Sequence, residues 1–95
     1  MARLHVVPLG DEAQATSLKL SETLRAKGLR VEMGYSGNMQ KRMKRADKMG
    51  ASYALILGSN EIERGVVQVK NLKTGEQTEM PIATAPQFIH DELLT

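Results

Sequence analysis

The sequence predicts an α/β domain in which strands and helices alternate around a mainly parallel sheet. Three observations predict it. Short apolar, β-branched runs recur at "RLHVVPL", "LRVEM" and "SYALILG". Helix-period segments with charged outer faces separate them. Two alternating runs, "GVVQVKNL" and "EQTEMPI", then flank "KTG", which places an antiparallel hairpin at one side of the sheet. Ninety-five residues suffice for one such domain and leave no room for a second core. A chain of this size buries about 60–65% of its unfolded surface, enough for a layered fold without staples.

Each element has a local reason. Arg3–Leu9 reads as a buried strand closed by Gly10. In "GDEAQATSLKLSETLRAKG", Ala13, Ser17, Leu20 and Leu24 form an apolar stripe. Asp11 and Glu12 suit the positive end of that helix, and Arg25 and Lys27 its negative end before Gly28. Leu18 lies off the stripe. Leu29, Val31 and Met33 alternate on one face of a second strand. "YSGN" is a turn, with Ser36 or Asn38 capping the next helix. In that helix Met39, Met43, Ala46 and Met49 make a narrow stripe, Lys41, Lys44, Arg45 and Lys48 point away from it, Arg42 is on its flank, and Gly50 is the stop.

"SYALILG" is continuous and apolar, as expected for a central parallel strand covered on both faces. "SNEIERG" is a helical turn. The last strand is polar and ends at Pro81, which marks an edge. "TAPQFIHDELL" closes the chain as a helix with Thr84 as cap, Pro86 in the first turn, and Phe88, Ile89 and Leu93 inward. The expected order is β-α-β-α-β-(α)-β-β-α, with right-handed crossovers.

Composition narrows the function. There are no cysteines, hence no disulfide framework or thiolate chemistry, which is compatible with a reducing cytoplasm. No run approaches the roughly 18 apolar residues of a membrane span, and "MARLHVVPLGDE" lacks a signal-peptide pattern. Catalytic patterns are thin. His5 sits inside an apolar strand and reads as a satisfied or edge histidine; His90 reads as solvated. Paired-histidine metal spacing, a nucleophile elbow and a glycine-rich phosphate loop are missing. A small phosphate-binding enzyme would rest on Gly10 alone, beside the repelling acids Asp11 and Glu12.

The positive signal is the charge run. Residues 41–48 carry five bases and one acid, net +4, while the remainder carries eight bases and ten acids, net −2. Such a run is either a solvated face or a nucleic-acid surface. Two features favour nucleic acid. Asp47 is the one acid available to neutralise the run. Ser36, Gly37 and Asn38 also offer small polar groups and free backbone N–H donors at a helix start. Aromatic platforms are few, Tyr35, Tyr53 and Phe88, so long single-strand stacking is not expected.

"VVPLGDEA", "LRAKGLRVEMGYSG", "MKRADKMGASYALILG" and "GVVQVKNLKTGEQ" together resemble the C-terminal anticodon-binding domain of bacterial histidyl-tRNA synthetase, a class II aminoacyl-tRNA synthetase. The resemblance runs from about Leu4 to Phe88. It implies a three-layer α/β/α fold with a five-stranded mixed sheet, mostly parallel with one antiparallel strand, and a role in holding the anticodon loop of tRNA(His). Base-contacting positions of related domains fall on Ser36 to Asn38, on Glu61 and on Lys70. The threonyl type carries asparagine at the first of these and arginine at the last; a lysine cannot fork to a base as arginine does.

From the resemblance, the RNA-binding candidates are Tyr35, Ser36, Gly37, Asn38, Lys41, Arg42, Arg45, Glu61 and Lys70. Tyr35 either stacks on a base or packs on the sheet. Residues 1–95 then form one anticodon-binding domain without the catalytic domain, as either an excised fragment or a stand-alone relative. The isolated chain is expected to be non-catalytic and to need no cofactor. ATP and magnesium belong to the full-length enzyme, a cytoplasmic homodimer. The competing expectation is a regulatory or protein-interaction domain of the same fold.

Overall fold

The computed structural model describes residues 3–33 and 51–94. The elements are β1 (Arg3–Pro8), α1 (Glu12–Ala26), β2 (Arg30–Met33), β3 (Ala51–Leu57), α2 (Ser59–Arg64), β4 (Val66–Asn71), β5 (Gln77–Pro81) and α3 (Ala85–Leu94). The five strands form one sheet in the order β2-β1-β3-β4-β5. β1 pairs parallel with β2 and β3, whereas β4 runs antiparallel to both β3 and β5. One strand of five therefore opposes the rest, as expected. The basic helix expected over residues 39–49 lies outside the described residues.

The sheet has two unlike faces because side chains alternate along each strand. Leu4, Val6, Val31, Leu55, Leu57, Val67 and Val69 share one core with Ala13, Leu20 and Leu24 of α1 and with Ala85 and Ile89 of α3. The small residues Ala13, Ser17 and Ser21 give α1 a flat inner side, all three being buried. Ser21 meets the cost of burying a hydroxyl by donating to the Ser17 carbonyl at 2.8 Å. Leu18 projects outward, 45% exposed. On the other face His5, Val7, Ala54 and Ile56 are also buried. β1 is an interior strand of the sheet, so His5 is a buried core histidine and not an edge one.

Two expectations at the last helix need correction. Phe88 does not point inward; it is 41% exposed, while Ile89 is fully buried. Phe88 falls one step, about 100°, outside the side of α3 defined by Ala85 and Ile89, which lie four residues apart and are both fully buried. The hydroxyl of Thr84 donates to the Pro81 carbonyl at 3.1 Å, so it braces the turn after β5 instead of capping α3. Arg25 likewise does more than face the helix dipole: it reaches the Val31 carbonyl of edge strand β2 at 3.0 Å and so blunts that edge.

The β4–β5 hairpin turns where "KTG" predicts. Gly75 has φ +79° and its N–H meets the Asn71 carbonyl at 2.7 Å. The Asn71 side chain accepts from the N–H groups of Lys73 and Thr74 at 2.9 and 3.2 Å, an Asx arrangement that ties the turn to the strand end.

Candidate nucleic-acid interface

The site is built where β3 ends and α2 begins. Gly58 leaves β3 buried, and its N–H donates to Oε1 of Glu61 at 2.8 Å. A Cβ at position 58 would sit 2.8 Å from that same oxygen. Glycine thus gives the carboxylate room to fold back over the strand end. The bond orients Glu61, whose side chain is 15% exposed, and leaves Oε2 directed toward Arg64 at 3.9 Å.

From Glu61 a chain of contacts crosses to the hairpin. Arg64 Nη2 lies 2.6 Å from Glu79 Oε1 on β5. The same oxygen accepts from Gln68 Nε2 on β4 at 2.9 Å, and Gln68 Oε1 accepts from Gln77 Nε2 at 3.3 Å. Register explains the grouping. Gln68 stands opposite Glu79 and Lys70 opposite Gln77 across β4 and β5. With Val67 and Val69 turned into the core, Gln68 and Lys70 must share the outer face. The mutual hydrogen bond and attraction hold the Arg64 guanidinium above, and the Glu79 carboxyl below, their ordinary pKa values.

The row through Lys70 shows how the patch opens. Glu32, His5, Ala54, Lys70 and Gln77 are successive register partners across the sheet. His5 and Ala54 are buried, Lys70 is half-buried, and Gln77 is exposed. Glu32 is exposed too, so this face is buried over β1 and β3 and accessible at both margins, toward β2 and toward β5.

The structure links Glu61 by contacts to Arg64, Glu79 and Gln68, and sets Lys70 beside them on the outer face of β4, its side chain bonded to none of them. The other seven candidates, Tyr35, Ser36, Gly37, Asn38, Lys41, Arg42 and Arg45, lie outside the described residues. Arg64, Gln68, Gln77 and Glu79 join the patch without having been singled out. A signal was available: the period-two alternation of both hairpin strands, and Arg64 three residues after Glu61 on a helical turn. The two described aromatics lie elsewhere. Tyr53 packs against the core, and with Phe88, Asn71, Thr78, Glu76 and Glu92 it lines a cavity of about 180 Å³ on the opposite face. Burial, then the Glu92 carboxylate, raises the Tyr53 phenol pKa, with the Asn71 hydrogen bond acting the other way. The patch can therefore offer hydrogen bonds and charge but, among the described residues, no stacking ring.

The profile described as the anticodon binding domain matches residues 3–92. The chain belongs to the anticodon-binding domain family. It is 45% identical over 88 residues to the histidine–tRNA ligase of Gluconobacter oxydans, covering 93% of this chain and 21% of that protein. To the ligase of Rhodococcus erythropolis it is 49% identical over 77 residues, 80% of this chain and 18% of that one. The chain thus spans about a fifth of the length of these curated relatives. Among solved structures it superposes on histidyl-tRNA synthetase from Nostoc sp. PCC 7120 with a TM-score of 0.90 and 33% identity, covering 97% of this chain and 22% of the other. The RNA binding domain of threonyl-tRNA synthetase from Cryptosporidium parvum shares the fold, with a TM-score of 0.85 at 16% identity. The histidyl resemblance and the five-stranded α/β fold are both borne out.

Proposed function

We propose that this chain holds the anticodon loop of tRNA(His) for a histidine–tRNA ligase whose catalytic domain charges the far end. The observation that carries this reading is the contact chain from Glu61 through Arg64 and Glu79 to Gln68, with Lys70 on the same face of β4 as Gln68. Glu61 presents an acceptor-only carboxylate already fixed by Gly58, suited to the N–H groups of guanine or uracil edges. Lys70 supplies a cation on the same face. The basic run at Lys41, Arg42 and Arg45 attracts the loop backbone, and Ser36 to Asn38 with Tyr35 complete the contact set. An unpaired loop is where RNA bases can be splayed and read. Among the described residues no three carboxylate or histidine groups converge to hold a metal ion. As part of the same proposal, ATP and magnesium serve the catalytic domain of a cytoplasmic homodimeric ligase. Among the described residues no helix is long and apolar enough to cross a membrane.

Titration of a labelled anticodon stem-loop at two salt concentrations tests the reading. If the loop engages about three phosphates, log affinity falls with log salt with a slope of about −2, at ~0.7 per contact. Glu61→Gln keeps an oxygen for the Gly58 N–H but loses the charge, and is expected to erase preference for the histidine anticodon. Binding without salt dependence or anticodon preference would instead favour a protein-interaction domain, a reading that the balanced charges of Glu61, Glu79, Arg64 and Lys70 also suit.

A further inference from the structure

We propose that Arg64 is a further RNA-phosphate ligand, held in the free domain by Glu79 and transferred to the RNA backbone on binding. This rests on the anticodon-loop reading above. The Arg64 side chain is 45% exposed at the end of α2 and borders the Glu61–Lys70 patch. Its guanidinium carries five donors in a rigid fork. Among the described residues, both of its contacts run through one nitrogen, Nη2, to Glu79 at 2.6 Å and Glu61 at 3.9 Å. Nε and Nη1 are therefore left for another acceptor.

Glu79 is the counter-charge. Its Oε1 takes both Arg64 and the Gln68 amide. A solvent-exposed pair of this kind contributes little net stability. It keeps the guanidinium extended over the patch without committing it. A phosphate offers the same planar fork a bidentate partner. The transfer leaves Glu79 bound to Gln68, so neither carboxylate nor amide is stranded. Glu79 then sits as a negative charge beside the backbone, a brake on affinity that the other acid of the patch, Glu61, does not share if it reads a base edge.

The experiment is the same stem-loop titration with Arg64→Gln, Arg64→Lys, Glu79→Gln and the double variant, each checked by circular dichroism for an unchanged fold. Glu79→Gln is expected to bind several-fold tighter than the parent. Arg64→Gln is expected to bind more weakly and to flatten the salt slope by ~0.7. Arg64→Lys should restore the slope but not the full affinity. In the Arg64→Gln background the gain from Glu79→Gln should shrink, because most of it acts through the freed guanidinium. If the parent binds salt-dependently yet Arg64→Gln leaves slope and affinity unchanged, or Glu79→Gln weakens binding, this proposal is overturned while the anticodon reading stands. If the parent does not bind at all, the anticodon reading falls and this proposal with it.

Discussion

β3 and the β4–β5 hairpin lie side by side in one sheet yet do different work. β3 is apolar on both faces: Leu55 and Leu57 enter the α1–α3 core, and Ala54 and Ile56 are buried on the far side. Its neighbour β4 buries Val67 and Val69 and turns Gln68 and Lys70 outward, and β5 answers with Gln77 and Glu79. One strand is structure throughout; the other pair is structure on one side and chemistry on the other. On the proposed reading, the binding face needs no loop excursion. It needs a hairpin at the margin of the sheet, where covering stops.

If that division is right, substitutions in β3 should damage folding and leave recognition to fall with it. Leu55→Ala removes a fully buried side chain and is expected to cost about 2–5 kcal/mol in urea unfolding. Next in size is the junction. Gly58→Ala puts a Cβ 2.8 Å from Glu61 Oε1, so the end of that side chain must shift and its bond to the position-58 N–H weakens. A destabilisation of about 1 kcal/mol is expected, together with weaker RNA discrimination. A crystal structure of that variant with Glu61 unmoved would refute the role given to this glycine. Asn71→Ala opens the hairpin turn without touching the patch. A loss of about 1 kcal/mol is expected, with stem-loop affinity at saturating folded protein unchanged.

The smallest effect is electrostatic. Glu79 has its carboxyl pKa held below the ordinary 4.5 by Arg64. A carboxyl depressed by folding adds stability that is present above its unfolded value and fades as pH falls through its folded value. The stability difference between the parent and Glu79→Gln should therefore vanish as pH drops below the ordinary carboxylate range. A difference that grows on acidification would contradict the pairing.

Much of this was legible beforehand because it depends on local periodicity. The apolar run of β3, the stripe Ala13, Ser17, Leu20 and Leu24, and the alternation around "KTG" each specify an element and its buried side. Motif resemblance placed Glu61 and Lys70 as candidates. What stayed hidden depends on contacts between distant residues. The Glu79 end of the patch needed the β4–β5 register to bring it to Arg64. Arg25 reaching Val31 required the α1–β2 geometry. Phe88 is apolar enough to pack inward, and only the phase of α3, fixed by the buried Ile89 and Ala85, turns it out.

Two-dimensional amide chemical-shift mapping of the chain during titration with the tRNA(His) anticodon stem-loop tests the central claim most directly. Shifts clustered on Gly58, Glu61, Arg64, Gln68, Lys70 and Glu79, with Asn71, Thr78, Phe88 and Glu92 quiet, are the predicted result. Shifts gathered instead around the Tyr53 cavity on the opposite side of the sheet would contradict it.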